Sequence, residues 1–109
     1  MNGVTENLVV LIAAANEAEG KWLAKTLVEK RLAACVSLLP QAHSFFWWEG
    51  KIDEQNETIM IVKTRRQAFP QLVETVQKHH SYSVPEIIAV PIVEGAATYL
   101  RWLEAEVRP

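Results

Sequence analysis

The chain has 109 residues, half of them apolar and 22% charged, with a net charge of −2. That length suits a single domain, taken as residues 1–109, of ordinary globular composition. It excludes a charge-rich disordered chain, and the charge has the wrong sign for a surface built to hold phosphate backbones. The first element expected is a strand over "LVVLIAA", Leu8–Ala14, which is short, β-branched and apolar throughout, as in a strand covered on both faces. Asn16 then offers an N-cap, with Glu19 three residues on in the capping-box position. A helix should follow to about Lys30, with Gly20, Leu23, Ala24, Leu27 and Val28 on its inward stripe. "CVSLL" reads as a second strand that Pro40 interrupts and "HSFFWW" resumes, and Gly50 marks a turn after Glu49. "ETIMIVKT", Glu57–Thr64, is the third strand. Phe69, Leu72, Val73 and Val76, at i, i+3, i+4 and i+7, define the second helix, with Pro70 harmless in its first turn. "EIIAVPIV" is a fourth strand, placed at a sheet edge by Pro91. A last helix, roughly Ala97 to Val107, aligns Ala96, Leu100, Leu103 and Val107.

The order β-α-β-β-α-β plus a terminal helix is the split β-α-β, or ferredoxin-like, α+β pattern. Strands one and three lie side by side in the centre of such a sheet. The two crossover helices cover one face and leave the other open. An open face on a monomer should be polar and alternate along each strand, but Val9 and Leu11 oppose Leu8, Val10 and Ile12, and Ile59 and Ile61 oppose Met60 and Val62. Phe45 and Trp47 likewise oppose Phe46 and Trp48. Whichever aromatic pair faces away from the helices would expose about 300–500 Å². A homo-oligomer with its open faces together is therefore expected, a ring if head-to-tail pairing closes.

A membrane span would need roughly 18 apolar residues in a row, and the longest run, Leu8–Ala15, is far shorter. "MNGVTEN" has no basic start before an apolar core, so no export signal is expected. The one cysteine, Cys35, excludes an intrachain disulfide and reads as a buried thiol. The expected setting is the cytoplasm, with neither nucleic acid nor membrane as partner.

"EKRLAACVSLLP", "WWEGKI", "KT" after the third strand, the histidine pair with its tyrosine and proline-glutamate in "HHSYSVPE", and the closing "YLRWL" resemble the CutA divalent-cation tolerance proteins from about Leu8 to Val107. The resemblance implies a tight homotrimer, akin in architecture to the PII signalling proteins, and an association with copper or other divalent metal ions. It also implies His79 and His80 as metal-ligating positions. Members with a copper site add a first-strand cysteine, a position occupied here by Ile12, and a thiolate is the softest ligand such a site could have. The proline common after the second histidine is Ser81 here.

Consecutive helical residues point about 100° apart, so His79 and His80 can meet one ion only if the helix has already ended. Otherwise they finish a helix, where a partly protonated imidazole suits the dipole. Trp48, Glu49, Lys63, Tyr82 and Glu86 sit at turns and strand ends that a trimer could bring together in a cleft between subunits. They would form a polar pocket for a small anion or metabolite roofed by Trp48, or an ion-pair network of Lys63 with Glu49 or Glu86 that fixes subunit register. His43 is read as surface.

Three functions compete: metal response or binding, a PII-like sensing module with its ligand in the inter-subunit cleft, and RNA binding. RNA-recognition domains share the element order but need aromatics on the two central strands, and "LVVLIAA" and "ETIMIVKT" have none. The four scattered glycines make no phosphate loop. No nucleophile–base pair or close catalytic carboxylates stand out, and "AANEAEG" lacks the arginine an acylphosphatase would place after strand one. A non-enzymatic protein is expected.

Overall fold

A computed structural model describes residues 6–109. The expected absence of an export signal therefore falls largely on residues outside the described ones. The elements run β1 (Asn7–Ala14), α1 (Glu17–Glu29), β2 (Cys35–Trp48), β3 (Lys51–Arg65), a 3-10 turn (Arg66–Ala68), α2 (Phe69–His79), β4 (Ile87–Pro91) and α3 (Ala97–Glu106). All pairings are antiparallel, in the order β2-β3-β1-β4. β1 and β3 are central, as the ferredoxin-like reading requires. Pro91 closes β4 on the sheet edge, where its missing N–H costs no ladder bond.

The core lies between the sheet and the helix pair. Leu8, Val10, Ile12, Met60 and Val62 pack with Leu23 and Leu27 of α1 and Leu72 and Val76 of α2. Asn16 caps α1 by accepting from the Glu19 N–H at 2.8 Å. The Glu19 carboxylate accepts from the backbone N–H of Ala15, one residue short of a standard capping box. Val28, expected on the inward stripe, is exposed because α1 turns it past the edge of the packed layer. The helix ends in a Schellman motif: Arg31 sits at φ 62, Leu32 N–H reaches Leu27 O and Arg31 N–H reaches Val28 O. A non-glycine is held there by a 2.6 Å ion pair of Arg31 with Glu106 and by the Arg108 N–H on Arg31 O.

The second and third strands differ most from expectation. β2 is continuous through Pro40, which is absorbed by a register shift between Leu39 and Ala42, with Gln41 at φ 64. β3 begins at Lys51, six residues before the expected start. The extra residues pair with "HSFFWW", from His43↔Asn56 to Trp48↔Lys51. Glu49 and Gly50, at φ 51 and 79, form the two-residue positive-φ turn that suits a twisted hairpin. The result is a two-stranded arm beyond the helices, which helps stretch the molecule to 44 × 29 × 22 Å.

α3 does not roof the open face. It docks at the Asn7/Arg65 end of the sheet, where Asn7 Nδ2 donates to Glu104 Oε2 at 3.0 Å and Leu103 and Val107 enter the core. On the open face Leu39, Ile88 and Val90 stay about half exposed. On the arm, Phe45 is 66% and Trp47 72% exposed, whereas Phe46 is partly covered.

Candidate functional site

A cleft of about 790 Å³ opens between the arm and the loop that joins α2 to β4. Its position follows from strand lengths. β1 stops at Ala14 while β3 runs on past it, so the β3 edge near Glu57 has no strand beside it and the loop fills the space. Cross-strand partners share a face, so the pairs Ala42↔Glu57, Ser44↔Gln55 and Phe46↔Asp53 set Asp53, Gln55 and Glu57 on one side of the arm with Phe46. Trp48, Tyr82 and Glu86 also line the cleft.

A chain of hydrogen bonds holds the loop. The Tyr82 hydroxyl donates to Glu57 Oε2 at 2.9 Å. The Tyr82 backbone N–H donates to His80 Nδ1 at 3.0 Å, which makes that nitrogen the acceptor. His80 Nε2 therefore carries the proton and donates to Ala13 O at 2.8 Å. The Ser81 N–H donates to Glu19 Oε1 at 3.1 Å, and Glu19 Oε2 stands 3.5 Å from His80 Nε2. Burial raises the Glu19 carboxyl pKa, but the hydrogen bonds from Ala15 and Ser81 and the nearby His80 together pull it below its ordinary value. Burial and the hydrogen bond to Glu57, with the charges of Glu57, Glu19 and Asp53, push the Tyr82 phenol up to about 12.

The helix does end between the two histidines, with His80 as an extended C-cap at ψ 143. The rings nonetheless diverge. His79 is exposed and meets Trp22 edge-on at 4.8 Å. His80 is buried and fully hydrogen-bonded through both nitrogens. Among the described residues, no three His, Cys, Asp or Glu side chains gather closely enough to hold a metal ion. Within one chain the donor set does not fit a chelating centre: one imidazole has no free lone pair and the other has no companion ligand. Cys35, expected to be buried, is partly exposed and sits opposite Lys63 in the β2–β3 register. His43 is on the surface, 4.0 Å from Glu54.

Of the five pocket residues read from the sequence, the structure brings together Trp48, Tyr82 and Glu86. Glu49 occupies the arm's tip turn and does not line the cleft. Lys63 lies six residues along β3 from Glu57, about 20 Å away at strand spacing, with its Nζ 3.5 Å from Ser37 Oγ. Glu57 and Asp53 were missed. The available signal was a carboxylate, Glu57, directly preceding a buried apolar strand.

An antiparallel four-stranded sheet, two helices on one face and an overhanging arm with a cleft beside it define a ferredoxin-like α+β protein. Residues 8–106 match the family described as CutA1 divalent ion tolerance protein. A divalent-cation tolerance protein CutA of Thermus thermophilus is 48% identical over 95 residues, covering 87% of this chain and 92% of the relative. The solved structure of a divalent cation tolerance protein from the same organism superposes with a TM-score of 0.92 at 45% identity, covering 94% of this chain and 99% of that one. The periplasmic divalent cation tolerance protein CutA of Archaeoglobus fulgidus gives 0.91 at 43% identity, with coverage of 94% and 99%. The chain belongs to the CutA1 divalent-cation tolerance family.

Proposed function

We propose that this protein serves divalent-cation tolerance as a non-enzymatic, PII-like homotrimer of one-domain subunits whose open sheet faces meet. The observation that carries the assembly is the half-exposed row Leu39, Ile88 and Val90 on the face opposite the helices. Covering such a surface stabilises association. Family membership supports the tolerance role. Contact with copper or another divalent ion is weak. It runs through His79 and recruits His80 only when that ring leaves Ala13 O and the Tyr82 N–H. The site of action is the cytoplasm, which subcellular fractionation tests.

Sedimentation equilibrium at micromolar concentration should give a trimer, and a monomer there overturns the assembly. Calorimetric copper titration should show weak binding that His79→Ala diminishes. Equal affinities in wild type, His79→Ala and His80→Ala would remove both histidines from the account.

The cleft favours a second reading, a PII-like sensing module with a small ligand between subunits. Trp48, Tyr82 and Glu86 come from one chain, and Glu49 and Lys63 join from a neighbour. Thermal-shift measurements across a metabolite panel test it, and stabilisation by none of them would count against it.

A further inference from the structure

We infer that the cleft beside the arm is a binding site for an organic cation bearing an ammonium or guanidinium group. This deepens the ligand-sensing reading and rests on it. Glu57 is only 6% exposed, yet it lines the cleft, and among the described residues its one recorded hydrogen bond is that from Tyr82 to Oε2. Glu57 Oε1 is not sealed away without a partner; on the cleft side, a ligand's N–H can take the place of water there. Asp53 and Glu86 line the same space, and none of the lining residues is a lysine, arginine or histidine. Glu49 and Lys63 arriving together from a neighbouring subunit would leave that charge balance unchanged.

The remaining walls select the kind of cation. Phe46, Trp48 and Tyr82 present aromatic rings to the cleft, and ring faces attract ammonium and guanidinium groups that have shed part of their hydration. A bare metal ion would need three or more carboxylate or imidazole groups converging on one point. Among the described residues no such group forms. A volume of about 790 Å³ also exceeds what one ion needs and suits a small organic molecule. The Tyr82 phenol, held protonated by burial and by its acidic neighbours, can keep donating to Glu57 while the other oxygen takes the ligand's N–H. Anions and nucleoside phosphates would meet like charge.

The test is calorimetric titration of the full-length protein with agmatine and putrescine, set against inorganic phosphate and glutarate. Saturable heat is expected for at least one amine and none for either anion. Glu57→Gln keeps the side chain's shape and an acceptor for Tyr82, and should weaken amine binding about tenfold or more, as loss of a charge-assisted bond does. Glu86→Gln, on the exposed loop, should weaken it less and guards against a folding defect at Glu57. Stabilisation by phosphate or glutarate, with no response to the amines, overturns the cationic assignment while leaving a ligand cleft in place. No binding by any probe overturns both. Amine binding unaltered in Glu57→Gln overturns the inference as well.

Discussion

β2 and β3 pair antiparallel on both sides of the register shift between Leu39 and Ala42, yet their two ends have opposite surroundings. Near the helices, Met60, Val62 and their neighbours Val10 and Ile12 are fully buried. On the arm, Phe45, Trp47 and Ile52 share one side by register and stand mostly in solvent. Backbone pairing is the same in both places, so hydrogen bonds do not account for the difference. An isolated two-stranded hairpin is marginal in water, and what the core end has and the arm lacks is a second layer. The contrast indicates that one end of the ribbon is stabilised by a second layer of its own chain and the other end is not.

Substitutions at the two ends test that contrast most strongly. Met60→Ala should destabilise each subunit by about 2–5 kcal/mol through a core cavity, measured by denaturant unfolding. Trp47→Ala should change subunit unfolding by less than about 0.5 kcal/mol, as at other exposed sites, while shifting sedimentation toward smaller species. Equal effects of the two on unfolding would abolish the distinction.

Between those extremes lies His80→Ala, which strips Ala13 O of a donor and the Tyr82 N–H of an acceptor. The expected cost is about 1–3 kcal/mol, chiefly from Ala13 O, because the Tyr82 N–H is only part-buried and water can take it up. Faster amide exchange confined to the 81–86 loop would show that His80 holds the cleft wall and not the core.

Alkaline titration gives a finer readout, because only Tyr82 and Tyr99 contribute tyrosinate absorbance. Tyr82 should ionise near 12, and Glu57→Gln should bring it down toward 10.0, the ordinary value. A raised folded-state pKa means this contribution to stability is complete below the unfolded value of about 10 and is lost as pH rises through 12. The smallest effect expected is at the acid end. Glu19 is lowered below 4.5 in the folded state, so its contribution is present above that value and fades as pH falls through the lowered pKa. Glu19→Gln should flatten the acid limb of a stability–pH curve there. An unchanged acid limb would discount the Glu19 contacts with Ser81 and His80.

The fold was readable where one physical period dominated. β1 is apolar at every position from Leu8 to Ala14 and α2 repeats at i, i+3, i+4 and i+7, and together they fixed the sheet order. The arm was not readable because "KIDEQN", Lys51–Asn56, pairs while staying largely exposed. A ribbon wet on both sides carries neither alternation nor an apolar run. The site was half readable. Tyr82 and Glu86 flank a visible loop and Trp48 a visible turn, so their meeting could be guessed. That Lys63 lies far up β3 and that Glu57 closes the cleft depend on where β1 stops, and spacing alone does not reveal that. The histidine pair showed a helix end in the sequence, but the partners of each ring nitrogen are tertiary facts.

The irregularity at Pro40 and Gln41 resets which residues of β2 share a side. Two β2 residues stand there against one of β3, so odd positions such as Leu39 hold one side before the kink and even positions such as Phe46 hold that same side after it. β3 runs through without a break, and the Glu49–Gly50 turn sets the arm's pairing. Deleting one residue at the kink would therefore restore a regular ladder and leave Phe46 beside the carboxylates, which makes the kink a buffer that absorbs a change of length without reversing the ribbon.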